Sequence, residues 1–454
     1  MRSMLLACAM VVAITTQTMA QKVTPAAAQT AANGSAPVAA NVGRPPGASG
    51  DLTMEEMMST VRRLEDRVKE LEAKLAKTET ASESRTESVK TVAETVTKMQ
   101  EAKQKEDKEN GGFLSFFRST EIFGFVDAYY GYNFNRPPGD TAQLRNFDTK
   151  HNQFALNLIE LALEKKPTPD ARLGYRMDLD FGPATEIVHS AEPGGSETFK
   201  HIQQGYLSYL APVGKGLQID VGKFVTQHGA EVIETKDNWN YSRSLLFALA
   251  IPYYHFGARA TYNFSDKFAL SGYVVNGWNN VVENNHRKTY GIQAVIKPTT
   301  KLTIVQNYMG GPEQPNDDHD WRHLSDTTVT YTINPTVSVM ANYDYGHDRV
   351  AGAPVHWQGI AGYLRVQANK WLAFTPRFEW YDDHDGFTTG LPQTVKEITF
   401  TSEHKISNGL LTRLEYRRDF SDKGFFFKPV DRLVKAQSTI TFGLVYAFSS
   451  KSEQ

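Results

Sequence analysis

The chain of 454 residues has almost no cysteine: Cys8 is the only one. Because Cys8 lies in an N-terminal stretch that we expect to be cleaved, the mature chain would lack disulfides, thiol catalysis and a cysteine-based metal site. An excess of one charge is also missing, since 49 Lys and Arg residues stand against 51 Asp and Glu residues. No strong positive field therefore favours nucleic acid as a partner. The mean hydropathy is negative, which argues against a bundle of membrane-spanning helices.

Catalytic signatures are also missing. The sequence has no Gly-x-Ser-x-Gly elbow, no His-Glu-x-x-His pair and no phosphate-binding loop. A hydrolase triad could still come from separate strands, but Ser208, His201 and Asp220 are too generic to nominate. The stretches Asp317–Asp320 and Asp382–Asp385 are interpreted as solvated loops that bind divalent ions at most loosely. We therefore predict no enzyme, no catalytic residue, no metal site and no cofactor.

Residues 1–20 are typical of a secretory signal peptide. Arg2 provides a basic start, Met4–Ile14 is mostly apolar, and Thr18-Met19-Ala20 resembles a cleavage site. Leu5–Cys8 also resembles a lipoprotein box, but it begins too early to leave room for an apolar region before it. Residues 21–50 are rich in Ala, Pro, Gly and Thr and predict a flexible linker.

Residues 51–108 carry a heptad pattern. Apolar residues recur at alternating spacings of three and four, and one register runs through all of them across a polar middle. These residues are Met54, Met57, Val61, Leu64, Val68, Leu71, Leu75, Val89, Val92, Val96 and Met99. The pattern predicts a periplasmic coiled coil that joins copies of the chain, with a trimer as our guess. A single solvated helix with an apolar stripe is the alternative.

Between residues 119 and 448 the period of 3.6 gives way to a period of two, and no further helix is predicted. We expect an all-β domain, an antiparallel transmembrane β-barrel of about sixteen strands, followed by a short polar tail at 449–454. The predicted strands are 121–134, 152–164, 171–182, 201–210, 217–225, 256–264, 267–277, 287–297, 301–310, 324–333, 336–346, 357–367, 371–381, 394–405, 410–420 and 435–448.

The lengths and connections of these strands favour a membrane barrel over a soluble sandwich. The strands are longer than the five or six residues of an ordinary strand. Tight turns alternate with long polar loops, as in bacterial outer-membrane barrels. The long loops are 135–151, 183–200, 226–255, 311–323, 383–393 and 421–434. An even number of strands also lets the sheet close without a free edge.

Apolar and charged residues alternate along the strands, as where Leu173–Phe181 interleaves Leu, Tyr and Met with Arg and Asp. The charged face is too polar for a dry core, so we assign the apolar face to lipid and the charged face to a water-filled lumen. The predicted lumen-lining charges are Arg172, Arg176, Asp178, Asp180, Arg259, Arg287, Arg377, Glu379, Glu397, Arg413, Glu415 and Arg417. Both signs are present, which predicts weak ion selectivity.

The longest connection, 226–255, contains an apolar run from Leu245 to Ile251. A loop exposed to water has no reason to be that apolar, whereas a loop packed inside the barrel has one. We therefore predict that this loop narrows the pore; packing on a neighbouring loop or protomer is the alternative. The candidate constriction charges are Glu231, Glu234, Lys236, Asp237 and Arg243.

Two stretches resemble the OmpL-like β-barrel porin family over residues 120–448. Gly124–Tyr130 with Asn133–Pro137 is similar to its opening strand, and Asn238–Ser244 with Pro252–Gly257 is similar to its mid-barrel loop. The resemblance implies an outer-membrane channel without a settled substrate. The order of signal, coiled coil and barrel also resembles phosphate-selective porins, but acidic residues dilute the arginines that would line such a pore.

The sequence as a whole predicts an outer-membrane porin for passive diffusion of small hydrophilic solutes or ions. Thr441, Gly443, Tyr446 and Phe448 resemble the signal read by the barrel assembly machinery, although Ser449–Gln454 follow it. The expected partners are outer-membrane lipid, that machinery, the solutes and further copies of the chain. The alternatives are an anchor or adhesin whose coiled coil tethers the envelope, and an outer-membrane hydrolase.

Overall fold

The computed structural model describes residues 54–109, 119–430 and 432–451, which divide into two separate units. The predicted signal peptide, the predicted linker and the last three residues of the polar tail lie outside the described residues.

The first unit is one long helix, α1, spanning Met54–Glu109. Its Glu, Lys and Ala residues favour a helix, and Arg67 pairs with Glu70 at 3.0 Å along its surface. Val61 and Leu64, two of the predicted heptad positions, are more than half exposed. Neither α1 nor any other helix in the described part of the chain is long and apolar enough to cross a membrane. The association of α1 into a coiled coil stays a prediction.

The second unit contains a closed antiparallel barrel of sixteen strands, which confirms the predicted fold class. Its strands are β1 (Glu121–Asn133), β2 (Gln153–Lys165), β3 (Leu173–Phe181), β4 (Ile202–Ala211), β5 (Leu217–Val225), β6 (Tyr254–Ser265), β7 (Phe268–Val275), β8 (Thr289–Thr299), β9 (Leu302–Pro312), β10 (Trp321–Thr332), β11 (Val337–Val350), β12 (Ala353–Asn369), β13 (Leu372–Asp383), β14 (Gln393–Ser407), β15 (Leu410–Ser421) and β18 (Ala436–Ser449). The last strand pairs with the first, from Phe123 opposite Ser449 to Asn133 opposite Thr439. No barrel edge is left unpaired.

The faces of the strands point as the alternation predicts. On β3, Leu173 is 70% exposed on the outer surface, whereas Asp178 and Asp180 of the same strand are buried inside. On β13, Phe378 lies outside between the buried Arg377 and Glu379. Apolar side chains thus cover the exterior and charged ones the interior, the arrangement of a barrel with lipid outside.

One predicted gap is absent. The predicted strands left residues 347–356 as a connection, but β11 and β12 continue to Val350 and from Ala353. Only Ala351 and Gly352 join them, with φ angles of 52° and 83°. Two residues with positive φ form the tight turn that suits the twist of a hairpin, and glycine tolerates this conformation best.

Short helices or strands occupy two of the predicted loops other than 226–255. The connection after β3 contains α2 (Pro183–Val188) and α3 (Ser196–Phe199), so the expectation of no helix beyond residue 119 was wrong. The connection after β15 contains a small hairpin of β16 (Phe426–Lys428) and β17 (Arg432–Val434). Elements this short are too brief to produce a recognisable period in the sequence.

Candidate functional site: a segment folded into the barrel

The connection between β5 and β6, residues 226–253, runs through the barrel interior and is called the inner segment below. The Gln227 carbonyl accepts a hydrogen bond from the side-chain amide of Asn307 on β9 at 3.0 Å. Further along, the Gly229 amide donates to Asp326 of β10 at 3.1 Å. The Tyr241 amide then donates to Glu415 of β15 at 2.7 Å. These partners lie on the inward faces of strands on different sides of the barrel. The segment therefore crosses the interior from β9 and β10 to β15.

The apolar run of the inner segment is buried against the wall. Residues Leu246–Ala250 form a single π-helical turn, and Leu245 and Leu246 have no exposed surface. The indole of Trp357 on β12 donates to the Ala250 carbonyl at 3.1 Å. Burial of these side chains away from water stabilises the segment inside the barrel.

A network of charges joins the segment to the inward faces of β13, β14 and β15, which we call the covered wall. Arg377 on β13 donates to Glu231 of the inner segment and to Glu397 of β14, both at 2.8 Å. It also donates to the Ser242 carbonyl at 2.8 Å. Arg377 is 1% exposed, so these bonds hold a buried cation rather than a solvated one.

The next strand, β15, binds the backbone of the same segment. The Glu415 carboxylate accepts the amides of Tyr241 and Ser242 at 2.7 and 3.0 Å. Arg413 donates to the Thr235 carbonyl at 2.6 Å, and Arg417 donates to the Arg243 carbonyl at 2.6 Å. Charged side chains of the covered wall therefore form hydrogen bonds with backbone groups that would otherwise be buried without partners.

The connection between β1 and β2, residues 134–152, packs on the same structure. The rings of Phe147 and Phe247 are tilted by 44° with centroids 6.0 Å apart, and the Arg243 guanidinium lies 4.5 Å from the centre of the Phe147 ring. Arg145 pairs with Asp419 of β15 at 3.1 Å. Two loops thus fill the side of the barrel next to the covered wall.

An open cavity of about 250 Å³ remains between the inner segment and the inward faces of β2–β6, which we call the open wall. Glu160 of β2, Arg176 of β3 and Arg259 of β6 contribute charges from the wall. The inner segment contributes charges from the other side. Both signs meet here, as Arg259 pairs with Asp220 of β5 at 2.8 Å.

The five candidate constriction residues fall into two groups. Glu234, Lys236 and Asp237 line the cavity. Glu231 and Arg243 are each 3% exposed and bonded within the packed side of the segment. Burial raises the pKa of Glu234, and the neighbouring Asp237 raises it further.

The predicted lumen charges are also divided. Arg176 and Arg259 face the cavity, whereas the charges of β13–β15 lie beneath the inner segment. Arg172 precedes β3 and donates to the Leu210 carbonyl at 3.0 Å. Arg287 precedes β8 and is exposed.

Sequence reasoning missed Asp127 as a contact for the inner segment. Its carboxylate on β1 accepts hydrogen bonds from Tyr241 at 2.8 Å and Thr235 at 2.6 Å, and it is fully buried. A lone acidic residue among Phe, Val and Tyr in the first strand is the one sequence signal that could have indicated it.

A closed barrel with an apolar exterior, a charged interior and a loop folded inside defines a porin-type channel of the outer membrane. The family model described as "Putative beta-barrel porin-2, OmpL-like" matches residues 119–448, and the chain belongs to this family. The chain is therefore an outer-membrane porin, as the sequence predicts.

Solved structures of outer-membrane proteins are similar to this chain. The anion-selective porin from Comamonas acidovorans is 10% identical, with a TM-score of 0.50 over 73% of this chain and 99% of that one. The outer-membrane channel DcaP of Acinetobacter baumannii is 10% identical, with a TM-score of 0.49 over 72% and 97%. A trimer form of OmpT of Vibrio cholerae is 11% identical, with a TM-score of 0.49 over 72% and 99%. No curated protein matches the chain.

Proposed function

We propose that this porin conducts small hydrophilic solutes and ions passively, and that the inner segment narrows the path. The observation that carries the proposal is the cavity between the inner segment and the open wall, which is lined by Glu160, Arg176, Glu234, Lys236 and Arg259. Charged groups on both sides keep such a path wet. Because both signs are present, the expected ion selectivity is weak.

Within this proposal the candidate residues have two roles. Glu234, Lys236 and Asp237 contact the permeating solute, because they line the cavity. Glu231 holds the inner segment on the covered wall through its bond to Arg377, and Arg243 holds the segment together from within by donating to the Val232 carbonyl; both side chains are buried.

Planar bilayers provide the test. The purified full-length protein is expected to give stepwise conductance, and Glu234→Ala is expected to shift the reversal potential in a salt gradient. Arg243→Ala is expected to raise conductance. The Arg243 side chain donates to carbonyl groups of the inner segment, and a segment without these bonds should narrow the path less. Currents that both substitutions leave unchanged would remove the inner segment from the constriction.

The same measurement separates the other functions. An anchor or adhesin would be electrically silent, and a hydrolase would cleave ester or lipid substrates while silent. We infer that the chain is not an enzyme, because it belongs to a porin family and its sequence has no catalytic signature.

We further propose that α1 joins copies of the chain, with a trimer as the expected assembly. The exposed apolar stripe through Val61, Leu64 and Leu71 supports this, because such a stripe is stabilised by a second helix. Deleting residues 51–108 is expected to lower the sedimentation coefficient in mild detergent. A deletion that leaves the assembly intact would contradict this role. Recognition of the last strand by the assembly machinery is proposed on the pattern from Thr441 to Phe448.

A further inference from the structure

Two buried carboxylates face each other across β2 and β3. Glu160 pairs in register with Asp180, and each residue is 1% exposed. Among the described residues, none forms a hydrogen bond with either carboxylate. Like charges directly opposite on neighbouring strands repel each other, and a buried polar group without a partner costs free energy. A positive ligand bound by Glu160 would lower both costs.

A third element brings more carboxylate oxygens to the same place. Oxygen atoms of Glu160 on β2, Asp178 on β3 and Glu234 of the inner segment all lie within 4.8 Å of one another. Glu160 and Glu234 line the cavity, so an ion arriving from water can reach them. Three carboxylates at this spacing can each give an oxygen to one cation.

The nearby cations Arg176 and Lys236 form their ion pairs with carboxylates other than Glu160 and Asp180. Arg176 donates to both oxygens of Asp178 at 3.0 Å. Lys236 lies 2.5 Å from Asp237. Arg176 therefore balances Asp178, one of the three clustered carboxylates, and Lys236 balances Asp237, so the charges of Glu160 and Asp180 stay in excess.

We propose that Glu160, Asp178 and Glu234 bind a divalent cation, for which Ca²⁺ fits best, with Asp180 adding negative charge beside them. Calcium accepts six to eight oxygen ligands in flexible geometry, whereas magnesium demands a near-ideal octahedron. Donors on two strands and one loop match the flexible case. The inference deepens the proposed channel function, because the bound ion would bridge the inner segment to the open wall and hinder permeating cations.

Calorimetric titration tests the binding directly. The full-length protein, refolded in detergent without lipopolysaccharide and washed with chelator, is titrated with CaCl₂. We expect saturable binding of about one ion per chain, weakened at least about tenfold in Glu160→Gln and in Glu234→Gln, since affinity follows the number of charged ligands. Glu164→Gln is the matched control, because Glu164 lies on the same strand, outside the cluster. Heat-modifiable mobility on gels verifies that each variant is folded.

Bilayer recordings test the consequence. Added CaCl₂ is expected to reduce potassium current through the native protein and the Glu164→Gln variant, compared with KCl of equal ionic strength. Current through Glu160→Gln is expected to respond less. Calcium binding without any conductance would support the site and contradict the channel alone. Conductance without saturable calcium binding, or binding that survives both Glu160→Gln and Glu234→Gln, would overturn the site.

Discussion

The two walls of this barrel use the same residue types for different purposes. On the covered wall, Arg377, Arg413 and Arg417 are almost without exposed surface and hold the inner segment by its carboxylates and carbonyl groups. On the open wall, Arg176 and Arg259 face a cavity, with 20% and 15% of their side chains exposed. A charge inside a barrel is thus structural where a loop covers it and available to solutes where none does.

The largest expected effect comes from removing the central cation of the covered wall. Arg377→Met leaves Glu231, Glu379 and Glu397 buried without their partner, and breaking a buried ion pair costs about 3–5 kcal/mol. We expect a loss of that order in the free energy of unfolding, measured by tryptophan fluorescence with denaturant in detergent micelles.

The matching change on the cavity side is Lys236→Met. Lys236 pairs with an Asp237 that is 41% exposed at its side chain, so the expected cost is within about 1 kcal/mol. Equal losses in the free energy of unfolding for Arg377→Met and Lys236→Met would mean that charges on the two walls contribute equally to stability.

A medium effect is expected from a glycine beneath the inner segment. A Cβ atom on Gly443 of β18 would lie 2.3 Å from the Tyr241 ring, so Gly443→Ala has to displace that ring. Overpacking of this kind costs about 1–3 kcal/mol, and a displaced segment should also raise the single-channel conductance. Gly272→Ala on β7 is the control, because no atom lies within 4 Å of the added Cβ. Identical behaviour of the two variants would show that the segment does not depend on this contact.

The smallest effect concerns the pH dependence of selectivity. Because burial and Asp237 raise the pKa of Glu234, this group becomes neutral at a higher pH than an ordinary glutamate, whose pKa is 4.5. On acidification, the reversal potential in a salt gradient, measured in the presence of chelator, should begin to shift toward anion selectivity above that value. Glu234→Gln should remove this early part of the titration, and Glu186→Gln in an exposed loop should not. A profile that Glu234→Gln leaves unchanged would place Glu234 outside the ion path.

Much of the barrel was predictable because its determinants are local. The alternation in Leu173–Phe181 reports which side chains share a face, and a period of two requires no knowledge of distant residues. The run from Leu245 to Ile251 indicated a packed loop for a similar reason, since an apolar stretch needs an apolar neighbour wherever it lies. Short elements such as α2 and the Ala351-Gly352 turn escaped, because two to six residues give too little pattern.

The sequence by itself determined the closed barrel and which side chains point outward, because apolar and charged residues alternate with the two-residue period of a strand. Only the tertiary structure decided which interior charges meet the cavity and which lie beneath the inner segment. Arg377 and Arg176 look alike along their strands, and their difference arises from contacts with Glu231 and Asp178 in the folded chain. Arg377 and Glu231 are 146 positions apart along the chain, and a contact at that distance produces no periodic pattern in the sequence.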